Sequence, residues 1–366
     1  MIINTNNLTQ AQLLALNKEI VAKAGPVAPG RDEVHIDVFL TELLLAVMQD
    51  PMGFVADMVA PETPVGKQSG KIGVIDRKSY TRDVAEPRSD GAETAGTGYK
   101  AAKVSFDAEV HGIHIDIGDQ TRANYDNPFD ADDDATFVLA ELMKINREIN
   151  FSNTALKSSA WASSVKGAAS DAANFDPSST TPADRNMMYL TSDSAEPVKM
   201  VKALKRHVML RGGRKPNAMA VGMELFDGLC EQADIVGRIN RGQTPGEPAR
   251  ATAMDLARLF ELQHVWPMEG IYNKANEGAT SADYDWIGDA QSALLVYVNP
   301  MGGGLRMPQG MRTLTWSGYL GATENGLRMQ KYRMQHLASD RAEAESAYDH
   351  VIMDNGMGLF LENMVE

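Results

Sequence analysis

The sequence predicts a mixed α+β protein in which one long helix supports strand-rich modules and a two-stranded ribbon projects from the body. Three observations predict it. Val138, Leu142, Ile145 and Ile149 step by 4, 3 and 4 behind the aspartates of "DADDDA", the period of an α-helix and the charge its positive end favours. From Lys71 to Ile117 the period is close to two, broken by the turn-rich "DGAETAGTGYK", as in paired strands. From Pro216 on, the signals run strand, helix, helix, strand, strand, an α+β order.

The 366 residues carry a formal charge of −14 and are 43% hydrophobic, a globular composition long enough for more than one core. No run approaches the ~18 apolar residues of a transmembrane helix. The opening "MIINTNNLTQ" has neither the basic nor the apolar region of a secretion signal. A single cysteine, Cys230, excludes an internal disulfide and a multi-cysteine zinc site. The acidic balance argues against broad nucleic-acid binding through a basic face. The 21 methionines read as core filling.

Thr9 to Ala24 is the first expected helix, with Thr9 and Gln12 at capping-box spacing. "GPVAPG" stops it, and a second apolar helix is expected from Val38 to Met48. Together they form an arm over residues 1–52. In "GFVADMVAPETPVGKQSGK" (Gly53–Lys71) the chain is apolar as far as Val59, and Pro61 and Pro64 stiffen its exit. The ribbon follows. "KIGVIDRKSY" leads out, and "KVSFDAEVHGIHIDI" returns with Val104, Phe106, Ala108 and Val110 on one face. An isolated hairpin is marginal in water and exposes backbone edges, so it packs on its own body or on another subunit. Lys67–Lys103 holds eight basic and five acidic residues, which leaves −17 on the rest. A cationic ribbon on an anionic body suits a reach toward a neighbouring copy.

The long helix is expected from Asp132 to Ala160, about 40 Å at the usual rise. Residues 162–186 read as a small-residue loop. Val198–Gly213 is a helix ended by glycines. "PNAMAVGMELFDGLCEQADIVGRINR" gives a strand, a helix and a second helical turn. Thr252–Leu262 is a helix with Thr252 as N-cap. "QHVWPM" and Ser292–Pro300 are strands, and strands dominate after Arg312. "ASDRAEAES" reads as a helical patch or a loop.

The search for chemistry assigns no catalytic, cofactor or metal residue. In "HGIHID", His114 and Asp116 share a strand face while His111 points the other way, so a three-ligand metal site needs a bulge. Histidines on a strand surface are the simpler reading. The "DADDDA" acids suit the helix dipole better than a cation. "GGG" at 302–304 lacks the lysine of a phosphate loop. "RGGR" (Arg211–Arg214) reads as a helix C-terminal turn, and Cys230 as a core thiol. A chain of this size without a site reads as a building block.

Four stretches resemble the major capsid proteins of tailed bacteriophages, which share the Hong Kong 97 fold. They are "GFVADMVAPETPVGKQSGKI", "DDDATFVLAELMKINREINFSNTAL", "PNAMAVGMELFDGLCEQADIVGRINR" with "DLARLFELQHVWP", and "YDHVIMDNGMGLFLENMV". Their order and spacing carry the likeness, from about residue 40 to the end. The resemblance implies a Hong Kong 97-like α+β fold with an N-terminal arm (1–52), an extended loop with flanking strands (53–118), a peripheral domain with the spine helix (119–212), an axial domain (213–322) and C-terminal strands returning to the peripheral domain (323–366).

The same resemblance implies a non-enzymatic role and a virion location. Self-assembly as pentamers and hexamers would form an icosahedral shell around double-stranded DNA, touched by weak contacts, after assembly in the host cytoplasm. It further implies a portal and a separate scaffolding protein, since no scaffolding region precedes the arm, and leaves room for a decoration protein. No cofactor and no membrane are implied. The expected inter-subunit residues are Arg77, Lys78, Arg82 and Arg88 on the ribbon, facing Asp130, Asp132, Asp133, Asp134 and Glu141 of an adjacent spine. Two other classes remain open: an encapsulin-like nanocompartment shell of the same fold, and a metal-dependent cytosolic enzyme using His114 and Asp116.

Overall fold

A computed structural model describes residues 53–75, 79, 81–123, 131–239, 251–275, 280–300, 307–320 and 327–366. The two expected arm helices, Arg77, Lys78, Asp130 and the glycines at 302–304 lie outside the described residues. In chain order the elements are α1 (Ala56–Val59), β1 (Glu62–Val65), β2 (Ser69–Ile75), β3 (Ala101–Asp107), β4 (Glu109–Gly118), α2 (Asp119–Ala123), α3 (Ala131–Ala155), β5 (Ser164–Ala168), β6 (Asn186–Met188), α4 (Pro197–Gly212), β7 (Ala218–Gly222), α5 (Met223–Glu231), α6 (Ala233–Ile239) and α7 (Ala253–Phe260). They continue with β8 (His264–Met268), β9 (Ile271–Asn273), β10 (Tyr284–Trp286), β11 (Ala293–Val296), β12 (Met311–Trp316), α8 (Ser317–Leu320), β13 (Leu327–Met334), β14 (Ser339–Ile352) and β15 (Gly358–Glu362).

Strand β14 is the axis of the first sheet. Antiparallel β4 covers one edge along residues 339–348, and β13 and then β12 cover the other. Short β1 adds parallel to β12, and Pro64 takes an exposed position on that edge strand, where a missing N–H is tolerated. The second sheet runs β6-β5-β15-β11-β7-β8. Its central strands are buried on both faces and alternate between two cores. Met219, Val221, Ala293, Leu295, Leu359 and Leu361 face α4–α7. Ala218, Ala220, Leu294, Val296 and Phe360 face the opening segment and the end of α3.

Helix α3 joins the two sheets. Leu139, Ala140 and Met143 pack on β13 and β14, while Phe151 and Ala155 reach the core under the second sheet. Its 25 residues span about 37 Å. It ends five residues before the expected Ala160, where the Trp161 indole N–H caps the Ala155 carbonyl at 2.8 Å. The buried face is not the expected Val138–Leu142–Ile145–Ile149 stripe. It is the neighbouring face, rich in small residues (Ala131, Ala135, Ala140, Ala155) and including buried Thr136, Lys144, Arg147 and Glu148. Small side chains let the helix approach the sheets closely, and the polar ones find partners there.

Other expectations change for tertiary reasons. "ASDRAEAES" is neither helix nor loop but the first half of β14. Ala342 and Ala344 face the core while Arg341, Glu343 and Glu345 face outward, a period of two hidden in helix-favouring residues. The expected loop 162–186 contains β5, which pairs parallel with β15. A Cβ on Gly167 would lie 1.8 Å from the Asn363 carbonyl oxygen, so only glycine fits there. The return strand of the ribbon breaks at buried Ala108: β3 pairs with β2, and β4 leaves for β14. β12 pairs with β14 in the first sheet, and β15 pairs with both β11 and β5 in the second. Two expected features match the structure: α4 ends on Gly213 at φ +65°, and Thr252 is the N-cap of α7, where the structure adds a capping box with Asp255.

Candidate inter-subunit surface

The segment entering the ribbon is fixed by α3. The N–H groups at the start of four-residue α1 need partners, and Glu148 supplies them. Val55 and Ala56 donate to its two carboxylate oxygens at 3.0 and 2.9 Å. Burial raises the Glu148 pKa to about 7, against the opposing effect of those two hydrogen bonds. Arg147, buried alongside, pairs with Asp57 at 2.6 Å and with Glu62, and its guanidinium lies 5.4 Å from the Tyr348 ring centroid. Burial also pushes the Glu62 carboxyl up, opposed by Arg147. His350 sits 2.9 Å from Thr313 Oγ1. Burial, followed by repulsion from Arg147, holds its pKa down to about 3, so it stays neutral at neutral pH. This arrangement sets the direction in which Pro61 and the chain beyond it leave the body.

The root of the ribbon lies on its own subunit. Val74, Val104 and Phe106 are partly buried, with Ile72, against Leu314, Val351 and Met353, and the Asp107 N–H donates to Asp349 at 2.9 Å. Farther out the packing ends: every residue from 81 to 100 is exposed, including Arg82 and Arg88.

The acids divide. Asp132 is engaged within its own chain, by Arg122 at 2.9 Å and Lys331 at 2.7 Å. Two cations of its own chain therefore already neutralise it. Arg122 and Arg333 extend the network to Asp340 and Asp119. Asp133, Asp134 and Glu141 are exposed and make no ion pair among the described residues. Around them stand Phe137, Val138 and Leu142, 47%, 50% and 40% exposed. Sequence reasoning put Val138 and Leu142 on one apolar stripe with Ile145 and Ile149. The signal for an outward apolar face was present, but its direction was not.

The other candidates are tied up. Both Asp116 oxygens accept from Arg341 at 2.7 and 2.8 Å, and His111 stacks on Tyr348 with ring centroids 4.8 Å apart. These contacts take the carboxylate that the His114–Asp116 metal reading needs. Among the described residues, no group of three His, Cys, Asp or Glu could hold a metal ion, and no helix is long and apolar enough to cross a membrane. Cys230 is buried. Arg214, from "RGGR", stacks 5.8 Å from the Tyr297 ring centroid.

No family model matches the chain, and no curated protein matches it. Solved structures do. A phage-related protein from Bordetella bronchiseptica RB50 is similar with a TM-score of 0.64 at 15% identity, over 90% of this chain and 98% of that one. The capsid structure of cyanophage P-SCSP1u is similar with a TM-score of 0.52 at 9% identity, over 83% of this chain and 86% of that one. The fold is the Hong Kong 97-like phage capsid fold. The holo-SrpI encapsulin of Synechococcus elongatus follows at a TM-score of 0.46 and 12% identity, covering 96% and 95% of the two chains. Among the described residues, the ribbon over 81–100 and the face of α3 that carries Phe137, Val138 and Leu142 are exposed.

Proposed function

We propose that this chain is the major capsid protein of a tailed phage, assembling as pentamers and hexamers into an icosahedral shell that packages double-stranded DNA. The capsid fold carries this reading, because it extends over most of the chain and no described cluster offers competing chemistry. Two unfinished surfaces support it. A ribbon with twenty consecutive exposed residues, 81–100, gains little by projecting from a monomer; its basic excess lies toward its two roots, since 81–100 itself holds three basic and four acidic residues. An exposed apolar and acidic helix face is the complement it lacks.

In this reading the ribbon of one subunit, through Arg77, Lys78, Arg82 and Arg88, crosses the outer face of a neighbour's α3 at Asp133, Asp134, Glu141, Val138 and Leu142. Scaffolding and portal proteins act in assembly, and the product is a virion component. Electron microscopy of the purified chain, with and without a scaffolding partner, tests the reading. Closed hollow particles are the expected result. A chain that stays monomeric at high concentration in both conditions overturns it. Particles that copurify with an enzyme in place of DNA would assign the shell to a nanocompartment.

A further inference from the structure

Residues 197–216, helix α4 and its exit, hold seven Lys and Arg and no acid, in a chain of net −14. The spacing gathers them instead of scattering them. Lys199, Lys202, Lys205, Arg206 and Lys215 line one concave pocket of about 480 Å³, with Met209 and a single carboxylate, Glu261. The pocket sits against the C-terminal end of α7, whose free carbonyls are the negative end of its dipole. Lys205 reaches into that end. It is buried and donates to the Phe260 carbonyl and, at 2.7 Å, to the Glu261 carbonyl. Lys202 and Lys215 share the Glu261 carboxylate at 3.0 and 3.1 Å. Arg206 is exposed and has no ion pair among the described residues.

The balance is uneven. Five cations line the hollow with one carboxylate, and Lys199 alone of the five pairs outside it, with Glu196 at 2.6 Å. Burial, and then the charge of Lys215, depress the Lys205 pKa to about 8. A segment serving only to pack would have acids facing it, as Arg122, Arg333 and Arg341 do on the first sheet. Here Lys202, Lys205, Arg206 and Lys215 converge on a hollow with Glu261 as the one carboxylate among them, an excess of positive charge in a concave site, as at a ligand site. Ammonium groups around one guanidinium fork suit tetrahedral oxyanions, which accept from several donors at once.

From this geometry we infer a binding site for closely spaced phosphate groups in the α4–α7 pocket, formed by Lys202, Lys205, Arg206 and Lys215. The inference is independent of the capsid reading. The phosphates come either from a free polyphosphate or from a nucleic-acid backbone, and the test separates these sources. Calorimetric titration of the full chain uses inorganic tripolyphosphate in one arm and a short duplex DNA in the other, over a series of salt concentrations. Saturable binding in either arm is expected, weakening as salt rises.

Lys202→Gln with Arg206→Gln should weaken binding by about tenfold per charge removed. Both side chains reach solvent, so an unchanged thermal midpoint reports intact folding. Removing the same number of charges at exposed Lys157 and Lys166 should leave the affinity within about twofold of the wild type. Tripolyphosphate binding alone assigns the site to a free anion, and binding of both identifies a backbone contact. No binding in either arm overturns the inference, as does an equal loss in the Lys157/Lys166 control, which would reduce it to the general field of the chain.

Discussion

The two faces of α3 use similar residues for opposite purposes. The inner face buries Leu139, Met143 and Phe151 against two sheets and satisfies Arg147 and Glu148 with named partners. The outer face leaves Phe137, Val138 and Leu142 in water beside Glu141. Both are apolar at helical spacing, so hydrophobicity does not distinguish them. The presence of small residues does: alanines let a sheet approach on one side, and their absence leaves the other side raised and open. The inner face is therefore the part of the fold that one chain completes, and in the proposed reading the outer face is the part left to other copies.

Reversing the complement of the outer face should break the comparison most sharply. Arg77, Lys78 and Arg82 changed to Glu should abolish closed shells while the subunit keeps its far-ultraviolet circular dichroism and its melting temperature. Normal particles from that variant would show that the ribbon does not recognise an acidic helix face. Val138→Ser with Leu142→Ser tests the other partner. Half-exposed positions carry little folding energy, so monomer stability should change by less than about 1 kcal/mol, while particle yield falls.

The inner face predicts the reverse pattern. Phe151 is fully buried under the second sheet, and Phe151→Ala should cost about 3–5 kcal/mol in chemical denaturation. A loss similar to that of the Val138/Leu142 variant would mean that the two faces are equivalent and that α3 is not anchored as described.

Most elements of the second sheet and its helices were legible in the sequence because their signals are local. Thr252 and Asp255 cap α7, Gly213 ends α4, and "AMAVG" is a buried strand. The first sheet was less legible. β14 looks helical residue by residue, and only its pairing with β4, more than 200 residues away, and with β13, 5 to 19 residues away, gives it a strand's period. The candidate surface was half legible. Charge marked the ribbon and the acids, but Asp132 turned inward because Arg122 and Lys331, distant in sequence, converge on it. The basic pocket needed the fold as well, since Lys215 and Glu261 meet the α4 lysines only when α7 packs beside α4.

A subtler, pH-dependent effect concerns the polar anchor of the inner face. The Glu148 pKa stands at about 7 in the folded chain, above its ordinary 4.5 when unfolded. Between these values the folded state holds the proton that the unfolded state has released. Stability therefore falls as pH rises from about 4.5 to 7, by on the order of 1–3 kcal/mol, and stays lower above that window. His350 works in the opposite sense. Its folded pKa of about 3 lies below the ordinary 6.5, so its contribution grows as pH rises through 3 to 6.5, and the two partly cancel in the wild type. Comparison with Glu148→Gln removes the cancellation, because the amide does not titrate and His350 is common to both. The stability difference, wild type minus variant, should shrink by that amount between pH 4.5 and 7.5 in urea titrations. A pH-independent difference would place the Glu148 proton elsewhere and leave α1 held by its two N–H bonds alone, without a titrating anchor at the base of the ribbon.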